Sequence, residues 1–240
     1  GVIINKFRGN MEYFKPAMKQ LEEIIKIPVL GAMPYFDLDI EDEDSVTERI
    51  SNKISNYKGI DIVVIRLPYM SNFTDFNPLN RLDNVSLRYV DKAQEIGNPH
   101  LVIIPGSKNT IDDIRFLKEK GLYSKIVSLE EKGTIILGIC GGYQMMGNYI
   151  IDDLGVEGEK RVEGGFGFLP TTTNFNKDKI TKQSSGRIVS NIIEEINNVE
   201  VSGYEIHNGE TIVNNPDNIF IKLSNGEVAG AINDKGNAMG

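Results

Sequence analysis

A single cysteine, Cys140, stands between two kinds of sequence. Ahead of it Ile135, Ile136, Leu137 and Ile139 surround Gly138. A short apolar run rich in β-branched residues predicts a buried strand over Thr134–Ile139. After it Tyr143, Met145, Met146 and Tyr149 recur at helical spacing, which predicts a helix through Tyr149. A cysteine at a sharp strand-to-helix turn has the arrangement of a nucleophile elbow, with sulfur as the attacking atom. Gly138, Gly141 and Gly142 leave room where a Cβ would collide. The first amides of the helix lack intrahelical acceptors, so they are expected to lower the thiol pKa and to bind an oxyanion. The chemistry this allows is thiolate attack on a carbonyl and a covalent acyl intermediate. The plainer reading, a buried structural cysteine, does not call for glycine on both sides.

The elements that would position this thiol belong to an open α/β sheet. Asp61–Leu67, Val85–Val90 and Leu101–Gly106 read as strands, and Tyr69–Pro78 as a polar loop with interleaved aromatics. Pro105–Thr110 then leads into a second helix. Thr110 and Asp113 are expected to form its capping box, Ile111, Ile114 and Leu117 its apolar stripe, and Gly121 its stop. Lys118 and Lys120 suit its negative end. Ligands of open α/β sheets bind beyond the carboxyl ends of the strands, so Gly106 and Cys140 are expected at neighbouring strand ends across one crevice. Of the two histidines, His100 reads as a strand-entry residue. Beyond the elbow the Gly164–Pro170 turn precedes short β segments, Arg187–Val189, Val199–Ile206, Phe220–Leu223 and Val228–Ile232, expected as an antiparallel extension.

Upstream, Val2–Ile4 and Ile27–Pro34 read as strands flanking a helix with Pro16 in its first turn and Met18, Leu21, Ile24 and Ile25 on one face. The domain reading is therefore a strand–helix–strand unit over 1–40, a linker over 41–58 with a short helix at Val46–Ile54, the acidic run beginning already at Asp37 and Asp39, and a second domain over 59–240. Such a unit cannot cover its own sheet, and the chain opens and closes inside patterned sequence, so both ends are expected to be internal to a longer protein. Net charge is −8 without a basic cluster, which argues against nucleic acid or an anionic membrane as partner. A lone thiol and no apolar run of spanning length point to the cytoplasm. The acidic run has no His or Cys near it, and no metal site is expected.

Several long stretches resemble the class I glutamine amidotransferases, in the variant of the cobyric acid synthase type. They are Ile139-Cys-Gly-Gly-Tyr-Gln-Met145, Arg66-Leu-Pro-x-x-Ser-Asn-Phe-Thr-Asp-Phe76, Pro105-Gly-Ser-Lys-Asn-Thr-Ile111 and Gly203-Tyr-Glu-Ile-His-Asn-Gly209. Gly1–Gly9 and Pro28-Val-Leu-Gly31 resemble the end of that enzyme's ATP-dependent synthetase domain. The resemblance implies an α/β glutaminase domain with an open, mainly parallel sheet, flanking helices and an antiparallel extension, preceded by the strand–helix–strand remnant of a P-loop-type synthetase. It implies Cys140 as nucleophile, Gly106 and Gly141 as the oxyanion hole, and Gln144, Tyr143 and His207 near the substrate glutamine. Gln144 could equally be a helix-surface residue. The full enzyme would use ATP and Mg to amidate corrinoid side-chain carboxylates in cobalamin synthesis. Two features depart from the pattern. The base is expected in a Gly-Thr-Tyr-x-His-Gly motif that would begin at Gly240, and His207 occupies a different motif. No Gly-x-x-x-x-Gly-Lys-Ser/Thr loop occurs, so the ATP and corrinoid sites are expected to lie mostly elsewhere. The alternatives are the related cobyrinate a,c-diamide synthase type, a thiol hydrolase acting on a peptide or ester, and a docking domain with a vestigial cysteine.

Overall fold

A computed structural model describes residues 1–34, 59–190 and 192–240. The acidic stretch after Pro34 and the expected helix at Val46–Ile54 lie outside the described residues. The chain divides into two compact units, Gly1–Ser45 and Val46–Gly240.

In the first unit, β1 (Val2–Phe7) and β2 (Val29–Pro34) pair in parallel around α1 (Met11–Ile25). The helix starts earlier than Pro16 suggested. Asn10 caps it by accepting from the Glu12 N–H at 2.8 Å, so Pro16 stands in the second turn and removes one i to i−4 bond there. None of the helix residues is buried.

In the second unit, β3 (Ile60–Ile65) is followed by α2 (Asn77–Asn80), β4 (Val85–Val90), α3 (Ala93–Ile96) and β5 (Leu101–Ile104). Next come α4 (Thr110–Glu119), α5 (Leu122–Glu131), β6 (Ile135–Gly138) and α6 (Gly141–Met146). Together with β13 (Ala238–Met239) the strands form a five-stranded parallel sheet in the order β13-β6-β5-β3-β4. Both its faces are apolar, as buried parallel strands require. Val63, Ile65, Val102, Ile104 and Ile136 point to one core with Ile111, Ile114, Leu117 and Ile126 of α4 and α5. Ile62, Val64 and Ile103 point the other way, onto Phe76 and Leu79. At the amino ends of the strands His100 accepts from the Asp61 N–H through Nδ1 at 2.9 Å, a strand-entry contact.

The antiparallel extension is larger than expected. It consists of β7 (Tyr149–Asp152), β8 (Arg161–Gly164), β9 (Thr171–Ile188), β10 (Glu200–Val213), β11 (Ile219–Leu223) and β12 (Val228–Ala231). Its one parallel pairing is β7 with β9. The segments read as Arg187–Val189 and Val199–Ile206 overlap the end of β9 and the start of β10, the long pair. Tyr149, expected on the elbow helix, belongs to β7, because α6 ends at Met146. Gly147 follows, where a Cβ would stand 2.5 Å from Thr171 Oγ1. No helix among the described residues is long and apolar enough to cross a membrane.

Candidate active site

The elbow is built by close backbone approach. A Cβ on Gly142 would lie 1.9 Å from the Ile104 carbonyl oxygen, and one on Gly138 would lie 2.5 Å from Met146 Sδ and 2.8 Å from the Gly142 carbonyl oxygen. Glycine at both places lets α6 fold back over the ends of β5 and β6. Between them Cys140 adopts φ 50° and ψ −111°, a region disfavoured for a residue with a Cβ. The turn thrusts its side chain outward, and the thiol is accessible.

Gly106 follows β5, the neighbour of β6 in the sheet, and a Cβ built on it would stand 3.8 Å from Cys140 Cβ. The two turns therefore share one crevice. The loop after β3 fixes the Gly106 turn from behind: Ser71 N–H donates to the Gly106 carbonyl at 2.9 Å and Lys108 N–H to the Tyr69 carbonyl at 2.8 Å. In a trans peptide the C=O and the following N–H point in opposite directions. Holding the Gly106 carbonyl against Ser71 therefore aims the Ser107 N–H away from that loop. A Cβ on Gly141 would lie 2.9 Å from Ser107 N. Among the described residues neither the Gly106 nor the Ser107 N–H has an acceptor. The Ser107 amide was not found from sequence, because only the pairing of Gly106 with Ser71 reveals its direction.

The helix that follows is capped by Asn109 rather than Thr110. Asn109 Oδ1 accepts from Asp112 N–H at 3.1 Å and its Nδ2 donates to Asp112 Oδ2 at 2.6 Å. Thr110 lies inside α4 and its N–H, with that of Ile111, is taken by Glu157 at 3.0 and 3.1 Å. Asp113 turns back to the loop, accepting from Ser107 Oγ at 2.6 Å and from Tyr69 N–H at 3.2 Å. Burial pushes its carboxyl up to about 6. The Ser107 and Tyr69 bonds oppose that, and the charges of Glu157 and Asp112 add to it.

The thiol itself departs from expectation. Protein crowded around the sulfur raises its pKa. The Gly141 N–H pulls in the other direction, but the nearby Glu157 charge reinforces the rise. The thiol also lies 3.7 Å from the Ile206 carbonyl, a weak contact that favours the neutral form. A helix of six residues does not overcome this.

Gln144 is buried beneath the elbow, not on a helix surface. Its Oε1 is 3.4 Å from Thr110 Oγ1, and Gly209 leaves room for its Nε2. Burial raises the Tyr143 phenol, and the Tyr143 ring lies against Gly240, where a Cβ would be 2.7 Å from Cδ2. His207 is one residue from the carbonyl facing the sulfur, but its ring turns to Gly209 O at 2.6 Å and Glu205 Oε1 at 3.1 Å. Burial works against the Glu205 charge, yet bonds from Ser184, His207 and Lys182 hold its carboxyl below the usual range. Both ring nitrogens thus face oxygen acceptors, and neither offers a lone pair to the thiol. Between His207 and Gly209 the pairing with β9 jumps from Ile180 to Phe175, a bulge beside the site. A separate cavity of about 420 Å³, lined by Glu130, Asn148 and Lys235 among others, includes none of these residues. No metal-binding cluster occurs among the described residues.

With this geometry in view, comparison with known proteins finds a CobB/CobQ-like glutamine amidotransferase domain matching residues 61–240. A cobyric acid synthase of Clostridium botulinum (strain Alaska E43 / Type E3) is 55% identical over all of this chain and 48% of its own length. That of Clostridium perfringens (strain SM101 / Type A) is 54% identical over all of this chain and 47% of its own. The chain spans about half the length of the curated relatives it matches. Among solved structures, PurLQS from Thermotoga maritima superposes with a TM-score of 0.57 at 18% identity, over 76% of this chain and 85% of that one. A glutamine amidotransferase crystal structure superposes with a TM-score of 0.51 at 16% identity, over 75% and 87%. At such identities the likeness is one of fold.

Proposed function

The chain belongs to the CobB/CobQ-like glutamine amidotransferase family and has the class I glutamine amidotransferase-like α/β fold, and from that premise we propose that residues 59–240 hydrolyse glutamine through a thioester on Cys140. The ammonia would serve the amidation of corrinoid carboxylates by a cobyric acid synthase, the activity named for its relatives. The observation that carries the reading is the left-handed backbone of Cys140, which sets an accessible thiol beside two turns with unspent N–H groups. A vestigial cysteine has no use for that strain.

In the proposed reaction the Cys140 thiolate attacks the side-chain amide carbon of glutamine, and the carbonyl electron pair moves to oxygen. Gly141 and Gly106 N–H groups, joined by that of Ser107, receive the oxyanion. Each such donor contributes on the order of 3 kcal/mol to the barrier. Collapse breaks the C–N bond, and the departing nitrogen takes a proton to leave as ammonia. Water then attacks the thioester through the same oxyanion, giving glutamate and the free thiol. Gln144, Tyr143 and His207 are proposed to line the glutamine site. The base is proposed to be the histidine of the motif expected from Gly240 onward. In support, Gly240 lies against Gly138 and Tyr143 of the elbow, with the Gly138 carbonyl oxygen 2.7 Å from its Cβ position.

The residues present do not fit ATP or Mg: no phosphate-binding glycine loop occurs in the sequence and no acidic metal cluster among the described residues. Nucleotide and corrinoid would be bound by other parts of the full-length enzyme, in the cytoplasm, with residues 1–40 belonging to its synthetase part. The test is labelling with a chloroketone analogue of glutamine. Modification of Cys140, protected by glutamine and lost in Cys140→Ser, is the expected result. Equal labelling with and without glutamine would leave only a reactive thiol.

A further inference from the structure

We propose that Asp113 is a positioning residue for the oxyanion-binding loop, holding the Gly106–Ser107 peptide in the orientation that presents its N–H to the Cys140 elbow. The inference rests on the glutaminase reading of that elbow. Asp113 is wholly buried, and neither of its side-chain bonds goes to Cys140. Both of its bonds go to the two strands of chain that bracket Gly106: Ser107 Oγ at 2.6 Å on one side, Tyr69 N–H at 3.2 Å on the other. The Ser107 hydroxyl also accepts from Asn109 N–H at 2.9 Å, so its rotor is committed.

Tyr69 and Ser71 in turn pair with Lys108 and Gly106, closing a ring of bonds around the peptide. Rotating that peptide to point its carbonyl at the elbow would break the Ser71 bond and pull against the anchored Ser107 side chain. The charged groups nearby do not compensate Asp113. Glu157 takes the Thr110 and Ile111 N–H groups, and Asp112 pairs with Arg161 at 2.7 Å. Among the described residues no basic side chain reaches Asp113. A helix-capping role needs no such carboxylate, since Asn109 and Glu157 already take the first N–H groups of α4. An uncompensated buried acid aimed at the loop fits orientation of the donor better than stability.

The test compares two labels on the same thiol in this chain. A chloroketone analogue of glutamine passes through a tetrahedral oxyanion, whereas iodoacetamide does not. Ser107→Ala and Asp113→Ala are expected to slow the chloroketone on the order of 10–100-fold and to leave iodoacetamide alkylation essentially unchanged. Asp113→Asn keeps an acceptor for Tyr69 and can bond Ser107 with the donor role reversed, so it is expected to recover most of the loss. If both labels slow together, or neither slows in Ser107→Ala and Asp113→Ala, the positioning role is overturned. Failure of the chloroketone to label the parent chain at all, with iodoacetamide active, would overturn the glutaminase reading and this inference with it.

Discussion

At the scale of single residues, the thiol is accessible yet less acidic than its place at a helix start suggested. Crowding around the sulfur and the Glu157 charge outweigh one amide. The pH profile of iodoacetamide alkylation of Cys140 is therefore expected to have its midpoint above the ordinary thiol value of about 8.5. Glu157→Gln, which removes the charge while keeping an acceptor for α4, should move the midpoint down; an upward move would contradict this account of the thiol. Asp113 makes a second prediction. Its carboxyl is held at about 6 in the fold against an ordinary 3.8. For an acid whose folded pKa is raised, the contribution to stability is full below the ordinary value and is lost as pH rises through the folded one. At pH 7.5 the ionised group costs the fold on the order of 3 kcal/mol relative to its protonated form. Asp113→Asn should therefore melt higher than the parent at about pH 7.5 and lose that advantage near pH 3.5. Thermal denaturation at the two pH values checks it, and a variant that melts lower at both would show that the carboxylate stabilises the fold.

At the scale of elements, β5, β6 and α6 make the site by touching. A methyl group on Gly142 would meet the Ile104 carbonyl at 1.9 Å, so Gly142→Ala is expected to cost at least roughly 3 kcal/mol and to abolish chloroketone labelling. Denaturant titration and labelling of the same sample check it. This part of the site was legible in the sequence because it is local: strand, glycine, cysteine, two glycines and helix occupy consecutive positions. What was missed depends on distance or on polarity. Asp113 and Tyr69, or Glu157 and Thr110, are remote in sequence, and nothing local reports their contact. Asn109 and Thr110 are both good caps, and only the structure shows which one accepts the Asp112 N–H. The largely polar run Asn176–Gln183 hid the length of β9, since a strand exposed on both faces shows no alternation. By contrast α5 carries a stripe, Leu122, Ile126 and Leu129, whose spacing is local and legible in the sequence.

At the scale of the whole molecule, the parallel sheet brings the chain at Gly240 back to the elbow, through the pairing of β13 with β6. The His207 ring is turned to Glu205 and Gly209 and is poorly placed to take the thiol proton. Glutamine hydrolysis by this chain is therefore expected to be slow, and a version extended through the expected histidine motif faster by typically 10²–10⁴-fold. His207→Ala should leave that gain in place. Robust turnover by the unextended chain that vanishes in His207→Ala would make His207 the base and overturn the assignment to the expected motif. The measurement that bears most directly on the central claim is the mass of the Cys140 peptide after brief incubation with glutamine and acid quenching. The account predicts a γ-glutamyl adduct on Cys140, sensitive to hydroxylamine as a thioester is, and absent from Cys140→Ser. An unmodified Cys140 peptide under conditions where glutamate and ammonia accumulate would show that hydrolysis does not pass through this thiol.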